Sequence, residues 1–181
     1  MKQIILLFLL MITMNESGYK IDFGENLDVK NWAVVNDGVM GGKSESTVQL
    51  LSNSILFKGN ISLRNNGGFA SLRNEGHKLN ISQCKSVTIK FRTNTNRKFS
   101  FRLSNSDWFY KPFFKHEFSS STPDWETVTL LLADFKEYTI NGETGNKLTS
   151  DNMKKEMRIG IILYDKQEGS FEIEIDYIEF K

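Results

Sequence analysis

Strict alternation of apolar and polar residues is the feature of this chain that most constrains its fold. Val87, Ile89 and Phe91 alternate with polar neighbours, and the same pattern recurs at residues 99–103 and 171–177. A period of two places successive side chains on opposite faces of a strand, so each segment has one buried face and one wet face. The pattern therefore predicts a protein built from sheets that are each covered on one side.

The rest of the chain predicts further strands and very little helix. The shorter strand candidates, bounded by Gly, Asn and Asp turn residues, are 32–35, 47–51, 55–58, 61–64, 69–73, 128–132 and 159–163. Helix is expected only as a turn at 132–136 and at 150–155, with Ser150 or Asp151 as the cap. Parallel α/β folds need a crossover helix between strands, so a two-sheet antiparallel β-sandwich with minimal helix remains. The alternation shifts phase near Tyr177, which predicts a bulge.

Length, charge and cysteine count narrow the function. The 181 residues fit one domain, and 23 basic against 22 acidic residues give a net charge of +1. No overall field favours nucleic acid or an anionic membrane, so no nucleic-acid partner is expected. Cys84, His77 and His116 are too few for a Cys/His zinc site, and Cys84 permits no internal disulfide. We therefore expect neither a metal nor another cofactor, although a calcium site built from oxygen ligands in a loop stays open as an alternative that no EF-hand spacing supports.

The N-terminus predicts export. Lys2 precedes an apolar run of nine residues, 4–12, which is typical of a signal peptide. Nine residues are fewer than the about 20 that span a bilayer, so no stable membrane span is expected. A buried first strand is the alternative, because no Ala-x-Ala cleavage site follows. We expect a signal peptide at 1–17, a single domain at 18–181 and a periplasmic or extracellular location. A mitochondrial presequence is rich in arginine, whereas the first arginine here is Arg64, so mitochondrial import is not supported.

Two segments, 32–44 and 57–73, combine paired glycines with polar side chains. Glycine lets backbone approach a ligand or partner closely, and the polar groups can hydrogen-bond to it. The candidate partner-binding residues are Trp32, Asn36, Asp37, Met40, Gly41, Gly42, Ser44, Asn66, Gly67, Gly68 and Arg73. The alternative is structural: the two loops pack together and an ion pair between Asp37 and Arg73 closes them. Phosphate binding is not expected, because the Gly-x-Gly-x-x-Gly spacing and a following helix are absent.

A third segment, 107–114, contains five aromatic residues in eight. One face of a single strand cannot bury that many rings, so some are expected to be exposed. Trp108, Phe109 and Tyr110 are therefore alternative ligand-binding residues, suited to stacking on a sugar ring or on a protein partner. The alternative is that the segment crosses a sheet edge and covers the core.

Catalytic groups are scarce. Glu172, Glu174 and Asp176 share the wet face of one strand, where cross-strand pairing with Lys or Arg is expected. A general acid/base pair would need one of these carboxyl groups to be desolvated. The chain is therefore not expected to be an enzyme.

Taken together, the glycine-rich segments and several later pieces resemble a known family. Residues 32–44, 57–59, 66–73, 123–128, 133–135, 158–161 and 171–178 are similar to the signature of the complex I intermediate-associated protein family. The resemblance covers residues 22–180. It implies a galactose-binding-like jelly roll and a non-catalytic, chaperone-like role in assembling respiratory complex I. The leading hypothesis is thus a protein-binding assembly module with an unidentified protein partner; the alternative is an exported carbohydrate-binding module that binds a glycan through residues 108–114.

Overall fold

The computed structural model describes residues 18–24, 31–75, 78–108, 110–120 and 122–181, and this part of the chain is almost entirely β-structure. Its one α-helix is α1 (Ser150–Met153), and short 3-10 turns lie at Asp37–Met40, Arg64–Asn66 and Leu132–Asp134. The strands are β1 (Tyr19–Asp22), β2 (Trp32–Asn36), β3 (Glu45–Leu50), β4 (Ile55–Ile61), β5 (Ala70–Asn74), β6 (Ser86–Arg92), β7 (Phe99–Ser104), β8 (Phe113–Phe118), β9 (Glu126–Leu131), β10 (Lys136–Thr139), β11 (Gly142–Lys147), β12 (Arg158–Leu163) and β13 (Gly169–Phe180). The all-β class expected from the alternation is confirmed.

The strands form two antiparallel sheets. One has the order β3-β4-β13-β6-β9, with β1 paired to the second half of β13, and the other has the order β11-β10-β8-β7-β12-β5-β2. The register of β13 on β6 shifts between Ile175 and Tyr177, which confirms the predicted bulge. Because of the extra residue, Ile178 and Phe180 return to the buried face although they lie out of phase with Ile175.

The core between the sheets consists largely of phenylalanine rings in edge-to-face contact. Phe57 and Phe171 have ring centroids 5.0 Å apart, and Phe101 and Phe180 lie 6.0 Å apart. All four rings are fully buried, and each buried side chain of this size contributes about 1.5–3 kcal/mol to stability. Cys84 is also buried, and burial raises the pKa of its thiol, so it packs as a small apolar residue.

A buried ion pair fixes the connection between β12 and β13. The Arg97 guanidinium meets the Asp165 carboxylate through two hydrogen bonds of 2.6 and 2.7 Å, and it also donates to the Gln167 carbonyl at 2.6 Å. Burial alone would raise the pKa of Asp165, but the bonds and charge of Arg97 outweigh it and lower that pKa. The pair therefore holds this loop in one conformation.

Helix α1 begins at Ser150 as expected, but it ends at Met153 and its cap residue differs from the prediction. Its cap is Thr149, whose hydroxyl accepts from the Asn152 amide at 3.3 Å, while the Asn152 side chain accepts from the Thr149 amide at 3.0 Å. Thr149 has the extended backbone of a cap residue. Ser150 and Asp151 already lie within the helix, so the prediction that one of them is the cap is wrong. No helix among the described residues has the length and apolar character needed to cross a membrane.

Candidate functional site

The carboxylate of Asp37 joins the two glycine-rich loops. Asp37 begins the 3-10 turn that follows β2, and it is almost completely buried. It accepts hydrogen bonds from the Ser44 amide at 2.9 Å and hydroxyl at 2.5 Å, and from the amides of Gly68 at 2.6 Å and Phe69 at 3.3 Å. One side chain therefore ties the end of β2 to both loops.

The glycines are required because backbone surrounds this carboxylate. A Cβ atom on Gly42 or Gly67 would collide with the Asp37 side chain, and Gly68 has a φ of +122°. Gly41 closes the turn with a φ of +88°, a conformation that residues with a side chain rarely adopt. The paired glycines thus allow the loops to pack around Asp37.

The same contacts set the charge state of Asp37. Burial would raise its pKa, but the hydrogen bonds from the Ser44 hydroxyl and from three backbone amides outweigh that effect and lower the pKa. The carboxylate is consequently ionised, and both of its oxygens accept hydrogen bonds from the loops, so it stabilises them.

Other predicted residues of these loops occupy different environments. Trp32 lies in the core, where its ring packs against that of Phe23 with centroids 5.5 Å apart. Asn36 is half-buried and accepts a hydrogen bond from the Ser46 hydroxyl at 2.5 Å. Asn66 is exposed and has a φ of +58°. The segments therefore divide into a buried base and an exposed tip.

Arg73 does not pair with Asp37, contrary to the expected ion pair. In the register of β2 on β5, Arg73 lies opposite Ala33. Its Nε atom donates to the Ser71 hydroxyl at 3.1 Å. Because Ser71 and Arg73 are two residues apart, both side chains lie on the outer face of the seven-stranded sheet. The loops do pack on each other, but Ser44 and Gly68 hold them.

The exposed tip carries apolar side chains. Val39 is 71% exposed and Met40 is 64% exposed, and Leu63 on the second loop is also exposed. The Asn65 side chain donates to the Gly41 carbonyl at 3.0 Å and joins the two loops near this point. The tip therefore presents exposed apolar side chains on loops that hydrogen bonds hold together.

The aromatic segment presents at least two rings to solvent. Trp108 is 63% exposed and Tyr110 is 48% exposed, with ring centroids 5.8 Å apart. Phe109 lies outside the described residues, and Phe114 is buried in the core as part of β8. The segment therefore combines both expectations, since its beginning is exposed and its end packs inward.

The carboxylates of β13 are paired with basic residues of the neighbouring strand. Glu174 meets Arg92 at 2.6 Å, and Asp176 meets Lys90 at 2.7 Å. Glu172 instead accepts a hydrogen bond from the side-chain amide of Asn94 at 3.5 Å. These are structural cross-strand contacts, as the sequence predicted.

A basic cavity of about 280 Å³, which no sequence motif indicated, lies on the outer face of the seven-stranded sheet. Its walls include Arg73, Arg102 and Arg158 together with Asp107 and Glu75. The alternation indicated only that Arg102 lies on the wet face of its strand. Across the described ranges, no cluster of three or more His, Cys, Asp or Glu side chains has the arrangement of a metal site.

Solved structures define the class of this fold. The family 11 carbohydrate-binding module of the cellulosomal cellulase Lic26A-Cel5E of Clostridium thermocellum superimposes with a TM-score of 0.64 at 10% identity, over 90% of this chain and 94% of that one. The same module in complex with a β-1,3-1,4-mixed-linked tetrasaccharide gives a TM-score of 0.63 at 12% identity, with the same coverage. The molecule thus has the β-sandwich fold that these carbohydrate-binding modules adopt.

The sequence identifies the family. The profile described as complex I intermediate-associated protein 30 matches residues 21–175, and the chain belongs to that family. A curated relative named probable complex I intermediate-associated protein 30, mitochondrial, from Caenorhabditis briggsae, is 26% identical over 180 residues. The match covers 88% of this chain and 52% of the relative, so the chain spans about half the relative's length.

The relative's name corrects one prediction. That protein is named as mitochondrial, which contradicts export and a signal peptide, so the predicted periplasmic or extracellular location is wrong. A short apolar run after one basic residue reflects hydrophobicity, and hydrophobicity alone does not specify a destination. Residues 1–17 themselves lie outside the described residues.

Proposed function

We propose that this chain is a non-catalytic, chaperone-like protein-binding module that acts in the assembly of a multisubunit complex. Membership of the complex I intermediate-associated protein 30 family supports a role in complex I assembly. The partner is a protein, and the contact surface is the tip of the two glycine-rich loops.

The observation that carries this proposal is the exposure of Val39 and Met40 on a loop whose base is fixed by Asp37. A surface that is already ordered loses little conformational entropy on binding, so more of the contact energy appears as affinity. Methionine adds adaptability, because its unbranched side chain fills irregular gaps in a partner. The tip therefore combines a rigid support with apolar contact groups.

The test compares two variants that each replace a pair of exposed apolar residues with serine. In V39S/M40S the change lies at the loop tip, whereas in L131S/I140S it removes equally exposed apolar groups elsewhere. The amount of partner protein captured should fall at least about tenfold with V39S/M40S and stay unchanged with L131S/I140S. Both variants should keep melting temperatures close to that of the wild type. Equal capture by all three proteins would refute the loop tip as the contact surface.

A second candidate is glycan binding by Trp108 and Tyr110. Both rings are exposed and lie 5.8 Å apart, which matches the stacking of aromatic residues on sugar faces. Affinity gels containing neutral or acidic polysaccharides test glycan binding by the wild type and by the W108A/Y110A variant. The control is W125A, which removes a half-exposed tryptophan beside Arg92. If the wild type migrates unretarded in every gel, glycan binding is excluded.

A further inference from the structure

Two arginines lie on either side of a glycine on the outer face of the seven-stranded sheet. The register places Arg73 of β5 opposite Gly160 of β12, and Gly160 opposite Arg102 of β7. A Cβ atom on Gly160 would lie 2.6 Å from the Leu72 carbonyl oxygen and 3.5 Å from the Arg73 Cγ atom. Because Gly160 has no side chain, nothing on β12 separates the two arginines. Like charges that face each other across strands destabilise a sheet, and the positive charge of Arg73 acts unfavourably on the guanidinium of Arg102.

The guanidinium of Arg102 has no polar partner among the described residues, although its side chain is only 7% exposed. Its nearest aromatic contact is the Phe113 ring, whose centroid lies 4.7 Å away. Burial, and then the positive charge of Arg73, lower the pKa of Arg102 to about 9, while Asp107 acts in the opposite direction. An unpaired buried charge is costly to the fold, and a bound anion would remove that cost.

The cavity beside these arginines has a single uncompensated positive charge. Arg158 is already held, because it meets Asp107 at 2.6 Å and donates to the Glu75 carbonyl at 3.4 Å. Three guanidinium groups face the carboxylates of Asp107 and Glu75 in a space of about 280 Å³. One excess charge matches a carboxylate, whereas a phosphate monoester carries about −1.5 to −2 at neutral pH.

We propose that this cavity binds a carboxylate side chain of a protein partner, with Arg73 and Arg102 as the binding pair. The planar fork of each guanidinium matches the two oxygens of a carboxylate, and the cavity has the scale of one side chain. That the carboxylate belongs to a polypeptide rests on the proposed function. The arginine cavity is distinct from the loop tip at Val39 and Met40, so the two proposals are tested separately.

The probe is a blocked peptide of six glutamates, titrated calorimetrically at low ionic strength. Its affinity for the R102M variant should be about tenfold lower than for the wild type, because one charge-assisted contact is lost. The control variant is R92M, which removes the same charge from the other sheet, where Arg92 pairs with Glu174; its affinity should stay close to the wild-type value. A blocked peptide of six glutamines should not bind.

Equal weakening by R102M and R92M would overturn the proposal, because it would mean that only net charge matters. Binding of hexagalacturonate through Arg102, without binding of hexaglutamate, would overturn the assignment to a polypeptide. If R102M does not fold, as judged by circular dichroism, R73M takes its place with the same expected loss. The V39S/M40S variant should bind hexaglutamate as the wild type does; its failure to capture partners would then concern the loop tip alone.

Discussion

Replacement of Arg102 by methionine should make the protein more stable. The variant keeps an unbranched stem of similar length in the same space, while it removes a buried charge. No described group meets that charge in a hydrogen bond or an ion pair, and only the charge of Asp107 favours it. The pKa of Arg102 falls from 12.5 to about 9, and at 1.36 kcal/mol per pH unit the surroundings disfavour the charged form by about 5 kcal/mol. This figure is an upper bound on the gain.

Two losses reduce the net effect. The contact of the guanidinium with the Phe113 ring, at 4.7 Å, is worth about 1 kcal/mol, and methionine repacks imperfectly. Replacement of a whole buried ion pair by apolar residues of similar volume is often neutral or stabilises a protein by about 1–4 kcal/mol, and removal of a buried charge that has no ion-pair partner should act in the same direction. We therefore expect R102M to raise the free energy of unfolding by about 1–3 kcal/mol, and the melting temperature by about 2–4 °C for each kcal/mol.

The assay is urea unfolding at pH 7 and again near pH 10, with R92M as the control. Because the pKa of Arg102 is lower in the folded state, its penalty is present in full below pH 9 and is relieved as the pH rises through about 9. The gain in the free energy of unfolding of R102M over the wild type should therefore shrink at the higher pH. R92M, which loses a partly exposed ion pair, should change the free energy of unfolding by about 0–1 kcal/mol at most. Destabilisation by R102M at pH 7 would refute the reasoning, since it would show that the arginine has a stabilising partner.

Three further changes test the structural roles assigned above. D37A should cost about 2–4 kcal/mol in urea unfolding, because it leaves three amides without an acceptor and the Ser44 hydroxyl with only the Ser62 carbonyl at 3.3 Å, whereas N36A should cost about 1 kcal/mol or less. G42A should lower the melting temperature, since its Cβ atom would collide with Asp37; a wild-type melting temperature would show that the loop can shift. R97M should cost about 3–5 kcal/mol, and because the pKa of Asp165 is lowered in the fold, the difference from the wild type should diminish as the pH falls below about 4.

Alternation predicted the longer strands that have one buried face, but it missed the short strand β1 and a strand that buries no face. Residues 171–180 were predicted with their bulge, because a phase shift in buried residues is visible in the sequence. Strand β11, Gly142–Lys147, is polar throughout and lies at the edge of its sheet, with nearly every side chain exposed. Such a strand buries no face, so no period of two marks it.

The candidate site was only partly predictable for a related reason. Glycine pairs indicated where the backbone packs closely, but the choice of Ser44 over Arg73 as the partner of Asp37 depends on the register of β2 on β5. The approach of Arg73 to Arg102 likewise depends on two registers through Gly160. Strand register is set by long-range pairing, which a reading of local patterns does not contain.

The position of β13 affects how the molecule can be made. This strand lies between β4 and β6 in its sheet, yet it is the last of the described strands along the chain. During synthesis, the β3–β4 hairpin and the β6–β9 pair therefore keep unpaired hydrogen-bonding edges until β13 has left the ribosome. Unpaired edges attract other strands, and sheets closed by distant segments form slowly. The nascent chain is thus most vulnerable to aggregation just before its sheet is completed.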